Sequence, residues 1–210
     1  MAVVPVRKRP GLYYDTNSKG FFNLVEYRDE NKYDTVALAS GSLTSLPTLD
    51  LFKDLSSKKK LDTNFDTPRR LTQGEEMLIR RVGVDIPLAY GNTVVGLADA
   101  KKALYGGYLS VEVNKFEIAA GPLYTFPSGY GMTAGGETGN AVTGAFSNGV
   151  PSTAAVRNLE KTHEITSDHD ITGTIKYEDR TWDASNMAST SARTHIRVFL
   201  GGLVRRAATK

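Results

Sequence analysis

The sequence predicts an all-β fold built as an antiparallel β-sandwich. Three observations lead there. Ile171, Gly173, Ile175 and Tyr177 alternate with Thr172, Thr174, Lys176 and Glu178, the period-two pattern of a strand with one dry and one wet face. Leu109, Val111 and Val113 alternate in the same way with Ser110, Glu112 and Asn114. Between such segments lie long irregular connections, whereas an α/β fold would place a helix between most strands. Among sandwiches the best analogy is a single jelly roll with one or two short helices and long loops. Strand order is not readable at this stage.

Length and composition set the bounds. A chain of 210 residues is long enough to bury a substantial core in one domain. Its 40% hydrophobic and 23% charged content is ordinary for a globular protein. A net charge of +3 is too small to imply nucleic-acid binding from the total alone. There is no cysteine, so disulfides, thiolate metal sites and cysteine nucleophiles are excluded. No apolar run reaches the roughly 18 residues of a membrane span, and MAVVPVRKRP lacks the apolar stretch of a secretory signal. The expectation is a soluble protein made in the cytoplasm.

Residues 1–20 read as an extended basic arm, because Pro5 and Pro10 bracket Arg7, Lys8 and Arg9 and disfavour a helix. The basic triplet could contact phosphate or an acidic neighbour, or remain solvated. The sandwich domain is placed at 21–204, and 205–210 is a second basic tail, Arg205 and Arg206 to Lys210. Within the domain, Phe21 to Tyr27 and Tyr33 to Ala39 read as two strands joined by a turn at Arg28, Asp29, Glu30 and Asn31. From Leu43 to Lys60, Leu46, Leu49, Phe52 and Leu55 recur near helical spacing, which suits a short helix or an irregular connection. The triplet Lys58, Lys59 and Lys60 closes it, either solvated or on phosphate.

Asp62, Asn64 and Asp66 resemble the start of a calcium loop. The pattern then fails, with Thr67 where the glycine should stand and Gln73 at the bidentate glutamate position, so a turn held by Asx-type hydrogen bonds is the better reading. Arg69 and Arg70 precede a strand in which Leu78, Val82, Val84 and Ile86 are assigned to one face. Thr93 to Tyr105 is the best helix candidate, capped by Asn92 or Thr93. After the strand at Leu109 the apolar phase slips to Phe116 and Ile118, which predicts a bulge or bend near Asn114 and Lys115.

A Gly-rich loop occupies about 121–152. Its Gly129-Tyr130-Gly131 is not a dinucleotide loop, since the next glycine falls one position late at Gly135 and no βαβ unit surrounds it. Leu159 to Thr166 and His195 to Val204 complete the strands, separated by a polar connection from Trp182 to Ser191. Tyr124, Phe126, Tyr130 and Trp182 are candidate subunit-interface residues, as amphipathic rings suit interfaces.

The segments Asp62 to Leu71, Gly74 to Glu76 and Ile79 to Val84 resemble the entry into an early barrel strand in jelly-roll coat proteins of non-tailed icosahedral bacterial viruses. Phe116 to Ile118, Gly121 to Pro127 and Gly129 to Gly131 resemble a strand and loop of the same proteins. The likeness covers about a third of the chain. It implies a capsid structural protein, not an enzyme, that contacts other copies of itself and other virion proteins. The expected location is the virion after synthesis in the host cytoplasm. Arg7, Lys8 and Arg9 are then candidates for contact with packaged nucleic acid or with headgroups of an internal membrane. No catalytic, metal or cofactor site and no small-molecule substrate is expected.

Two other classes remain open. A ligand- or carbohydrate-binding sandwich, a viral attachment module for example, could use Tyr124, Phe126, Tyr130 and Trp182 as a stacking surface. A metal-dependent jelly-roll enzyme would need His163, His169 and a carboxylate such as Glu164, Asp168 or Asp170 to converge, without the clustered His-X-acid signature such enzymes carry. No serine stands in a hydrolase elbow.

Overall fold

The computed structural model describes residues 3–5, 12–15, 20–23, 27–38, 47–87, 89–90, 93–94, 97–129, 133–134, 146–147, 152, 155–177 and 194–205. Two antiparallel sheets of four strands each form the body. The strands are β4 (Tyr27–Leu38), β5 (Thr48–Leu51), β6 (Glu76–Asp85), β9 (Gly107–Val113), β10 (Phe116–Pro122), β13 (Arg157–Thr166), β14 (Ile171–Tyr177) and β15 (Thr194–Arg205). One sheet has the order β13-β6-β15-β4 and the other β10-β9-β14-β5. Along the chain, successive strands of this set change sheets at every step except the β9–β10 hairpin. That is jelly-roll connectivity, two Greek keys wrapped into one sandwich.

Alternation explains the core. From β9 and β14, Leu109, Val111, Ile171, Ile175 and Tyr177 point inward, while Tyr108, Ser110, Glu112, Thr174 and Lys176 face out. The opposite sheet contributes Met77, Ile79, Val82 and Val84 from β6 and Ile196, Val198, Leu200 and Val204 from β15. Each such aliphatic side chain contributes roughly 1.5–3 kcal/mol of transfer free energy. Helix α1 (Leu97–Gly106) is tied to the β14 end by the Tyr177 hydroxyl, which donates to the Ala103 carbonyl at 3.0 Å.

Several boundaries differ from the sequence reading. Residues 28–31 are no turn: β4 runs unbroken from Tyr27 to Leu38, its full length paired with β15. Charged residues are tolerated there because they pair along the strand, Arg28 with Glu30 at 2.6 Å and Glu30 with Lys32 at 3.9 Å. Upstream, β1 (Val3–Pro5) and β2 (Leu12–Asp15) fall within the expected extended arm and form a three-stranded antiparallel sheet with β3 (Gly20–Asn23), which covers the start of the strand expected from Phe21 to Tyr27. Pro5 is accommodated because β1 is an edge strand, and Tyr13, Tyr14, Phe21 and Phe22 are strong strand formers.

The helix begins at Leu97, not Thr93. Instead β8 (Thr93–Val94) pairs with β7 (Ala89–Tyr90), with β-branched residues favouring the extended form. In the expected helical or irregular stretch, Thr48–Leu51 is the short strand β5, and an irregular path follows. In β6 the inward set is Met77, Ile79, Val82 and Val84, with Leu78 on the other face. The phase changes because Arg80 is inserted between Ile79, opposite Gly202, and Arg81, opposite Gly201. A side chain at Gly202 would collide with the Leu78 carbonyl oxygen, which accounts for glycine at this bulge.

The predicted irregularity near Asn114 and Lys115 is a two-residue hairpin turn. Both residues have positive φ, 49° and 67°, as a type I′ turn requires. A separate bulge sits at Ile118, where Glu117 opposes Glu112 but Ala119 opposes Val111. In the Gly-rich segment the described parts include a 3₁₀ turn (Leu123–Thr125) and a short pairing of β11 (Thr133–Ala134) with β12 (Phe146–Ser147). The connection from Trp182 to Ser191 lies outside the described residues.

Candidate interaction surfaces

The interior is filled by aliphatic and aromatic side chains, so surfaces for recognition must be sought on edges, loops and outer sheet faces. The connection from Phe52 to Glu75 lies along the outer edge of β4. Asn64 accepts the Tyr33 N–H on Oδ1 at 2.8 Å and donates from Nδ2 to the Asn31 carbonyl at 2.8 Å. The Asn64 N–H and the Thr63 hydroxyl both donate to the Tyr33 carbonyl, at 3.3 and 3.0 Å. The loop thereby substitutes for an absent neighbouring strand.

Two buried ion pairs hold this loop down. Asp34, wholly buried on β4, accepts from Lys58 Nζ at 2.8 and 2.7 Å and from the Phe52 N–H at 2.7 Å. Lys32, 2% exposed, lies 3.0 Å from Glu75. Burial pushes the Glu75 carboxyl up, but the Lys32 ammonium and the Thr72 N–H more than offset this and hold it below the ordinary value. These contacts span 24 and 43 residues of sequence, and no local pattern marks them.

The residues singled out by sequence fall as follows. In the calcium-like segment, Asp62 accepts the Lys59 N–H at 2.7 Å, Asn64 binds β4, and Asp66 pairs with Lys60 at 2.5 Å. The three oxygen-bearing side chains are thus committed to separate partners, and none of these bonds is the Asx-type contact with an N–H two residues on that the sequence suggested. Of the lysine triplet, Lys58 and Lys60 have carboxylate partners within the loop and strand it covers. Arg69 adopts φ 60° and stitches the loop by backbone, donating to the Phe52 carbonyl and accepting from the Ile171 N–H, both at 2.7 Å.

His163 lies on β13 opposite Ile79, and burial, with Lys161 nearby, lowers its pKa. His169 Nδ1 accepts the Thr166 N–H at 3.1 Å and so closes its own turn. His195 is on β15 opposite Ala37. Among the described residues no three histidine or carboxylate side chains gather closely enough to hold a metal ion.

Tyr124 is 49% exposed, in the 3₁₀ turn, and stacks on Tyr105 with centroids 5.1 Å apart and planes at 17°. Phe126 is fully buried beneath the Arg157 guanidinium, 4.4 Å from its ring centroid, and its carbonyl accepts the Val84 N–H at 2.9 Å. Its role is therefore to anchor the loop in the core, because a ring with no exposed area cannot meet a neighbouring molecule. Arg7, Lys8, Arg9, Tyr130 and Trp182 lie outside the described residues.

Two further surface features were not anticipated. Phe116, 78% exposed, stands at the start of β10, an edge strand with no described strand on its outer side. On the outer face of that sheet, Tyr108, Ser110 and Glu112 of β9, Glu117 of β10, and Thr174 and Lys176 of β14 line a groove of about 300 Å³. The strand alternation could have placed those residues on one face, but not the pairing of β9 with β14 that brings them together. The chain matches no protein-family model and no curated protein.

Proposed function

We propose that the chain is a structural subunit of an icosahedral virion shell that assembles with copies of itself and with other virion proteins. The observation that carries this reading is the jelly-roll strand order around an aliphatic-filled interior, which directs recognition to the outside of the sandwich. The resemblance of the segments at 62–84 and 116–131 to coat proteins of non-tailed bacterial viruses points the same way.

Assembly contacts are assigned to the open β10 edge with Phe116 and to the stacked Tyr105–Tyr124 pair. Closed shells multiply modest contacts, so none of these patches needs to be large. The basic residues Arg7, Lys8 and Arg9 are proposed to meet packaged nucleic acid or an internal membrane surface. Electron imaging of the expressed chain, alone and with its co-expressed virion proteins, tests the reading: closed particles are expected, and dispersed monomers in both preparations would refute it. Replacing Arg7, Lys8 and Arg9 by alanine should leave assembly intact and reduce co-purifying nucleic acid or lipid.

A further inference from the structure

We propose that the groove on the outer face of the β10-β9-β14-β5 sheet binds a pyranose sugar. Its lining comes from three successive rungs of paired strands. Tyr108 stands opposite Lys176, Ser110 opposite Thr174, and Glu112 opposite Glu117. Alternate residues on one face of a strand are about 6.8 Å apart, so the three rungs extend over about 14 Å. The groove they line is open to solvent, and its volume of about 300 Å³ matches that of a small ligand.

The chemistry narrows the class. Glu112 and Glu117 are register partners of like charge on a solvent-facing surface, an arrangement that opposes sheet pairing. Among the described residues neither forms an ion pair, and the Glu117 carboxylate accepts the Ser110 hydroxyl at 3.1 Å. The groove thus presents carboxylate acceptors at one end, hydroxyls in the middle, and an ammonium donor beside a half-exposed tyrosine ring at the other.

A pyranose carries hydroxyls that donate to carboxylates and accept from an ammonium, and an apolar C–H face that stacks on a tyrosine. A phosphate ligand would meet two carboxylates of its own sign, and an apolar ligand would find one ring among polar groups. All six side chains stand on strands, so the array is formed before the ligand arrives. The inference is independent of assembly, since the groove lies within one chain.

Saturation-transfer NMR on the full chain with methyl glucopyranoside, methyl galactopyranoside and N-acetylglucosamine tests it. At least one sugar should receive saturation at its ring C–H protons. Tyr108→Ala and Glu117→Gln should each weaken that sugar's affinity about tenfold, roughly 1.4 kcal/mol. Both side chains are on the surface, and unchanged thermal melting confirms that the variants are folded. Transfer to none of the three sugars, or undiminished transfer in both folded variants, would overturn the proposal. So would a groove that responds to calcium ion alone, which would make the carboxylates a cation site.

Discussion

The edges at β4 and β10 solve the problem of unpaired backbone in opposite ways. Along β4, a loop supplies hydrogen-bond partners from Thr63 and Asn64 and is fixed by the buried pairs Lys58 with Asp34 and Lys32 with Glu75. Along β10, no described strand or comparable loop covers the outer side, and the strand carries a bulge at Ile118, Pro122 at its end and Phe116 in solvent. Bulges and prolines limit uncontrolled edge pairing without closing the edge. The difference separates an edge closed by its own loop from one that no described strand closes.

The largest expected effect breaks the closed edge. Asp34→Ala removes a fully buried carboxylate and leaves Lys58 and the Phe52 N–H without it, so the chain should lose about 3 kcal/mol of unfolding free energy in denaturant titration. A loss comparable to that of a surface substitution would mean that the loop does not depend on this pair. Glu75→Gln should cost about 2 kcal/mol, because Lys32 then keeps only the more distant Glu30 at 3.9 Å.

The same residue gives a pH signature. Since the Glu75 pKa is lowered on folding, its contribution is complete above the ordinary carboxylate value and is lost as pH falls through the folded-state value. Stability measured across the acidic range should therefore decline less steeply in Glu75→Gln than in the native chain. An identical slope would remove Glu75 as a source of the acid sensitivity.

At the open edge the effects on stability are smaller and differ in sign. Lys115→Gly relieves a non-glycine residue at φ 67° in the β9–β10 turn and should stabilise the fold by up to about 1 kcal/mol, visible as a higher melting temperature. Phe116→Ser should change stability by less than about 0.5 kcal/mol while reducing association between copies. If Phe116→Ser leaves association unchanged, the β10 edge is not the contact proposed for it.

How much of this was legible follows from the same contrast. Strands β9 and β14 were readable because each faces water on one side, so their apolar residues alternate without interruption. Strand β4 was not, because Arg28, Asp29, Glu30 and Asn31 look like a turn until their ionic partners and the pairing with β15 are known. The helical spacing of Leu46, Leu49, Phe52 and Leu55 misled because β5 is only four residues long and an irregular path follows it. The phase of β6 was half right, since the inserted Arg80 moves Leu78 to the face opposite Val82.

Of the candidate interface rings, the aromatic character of Tyr124 and Phe126 was evident, but only the turn at 123–125 decides that one is exposed and the other buried. The clamp residues Lys32, Asp34, Lys58 and Glu75 carry no local signal at all. Their pairing is created by the fold and so becomes visible only with it.

We propose that the sandwich assembles through its β10 edge, which no described strand covers, while a loop seals the β4 edge. Light-scattering mass of the purified chain across a series of protein and salt concentrations tests this most directly. The account predicts discrete oligomers or shell-sized particles that grow with protein concentration and diminish in Phe116→Ser. A monomer at every concentration and salt level, unchanged when the other virion proteins are added, would contradict it.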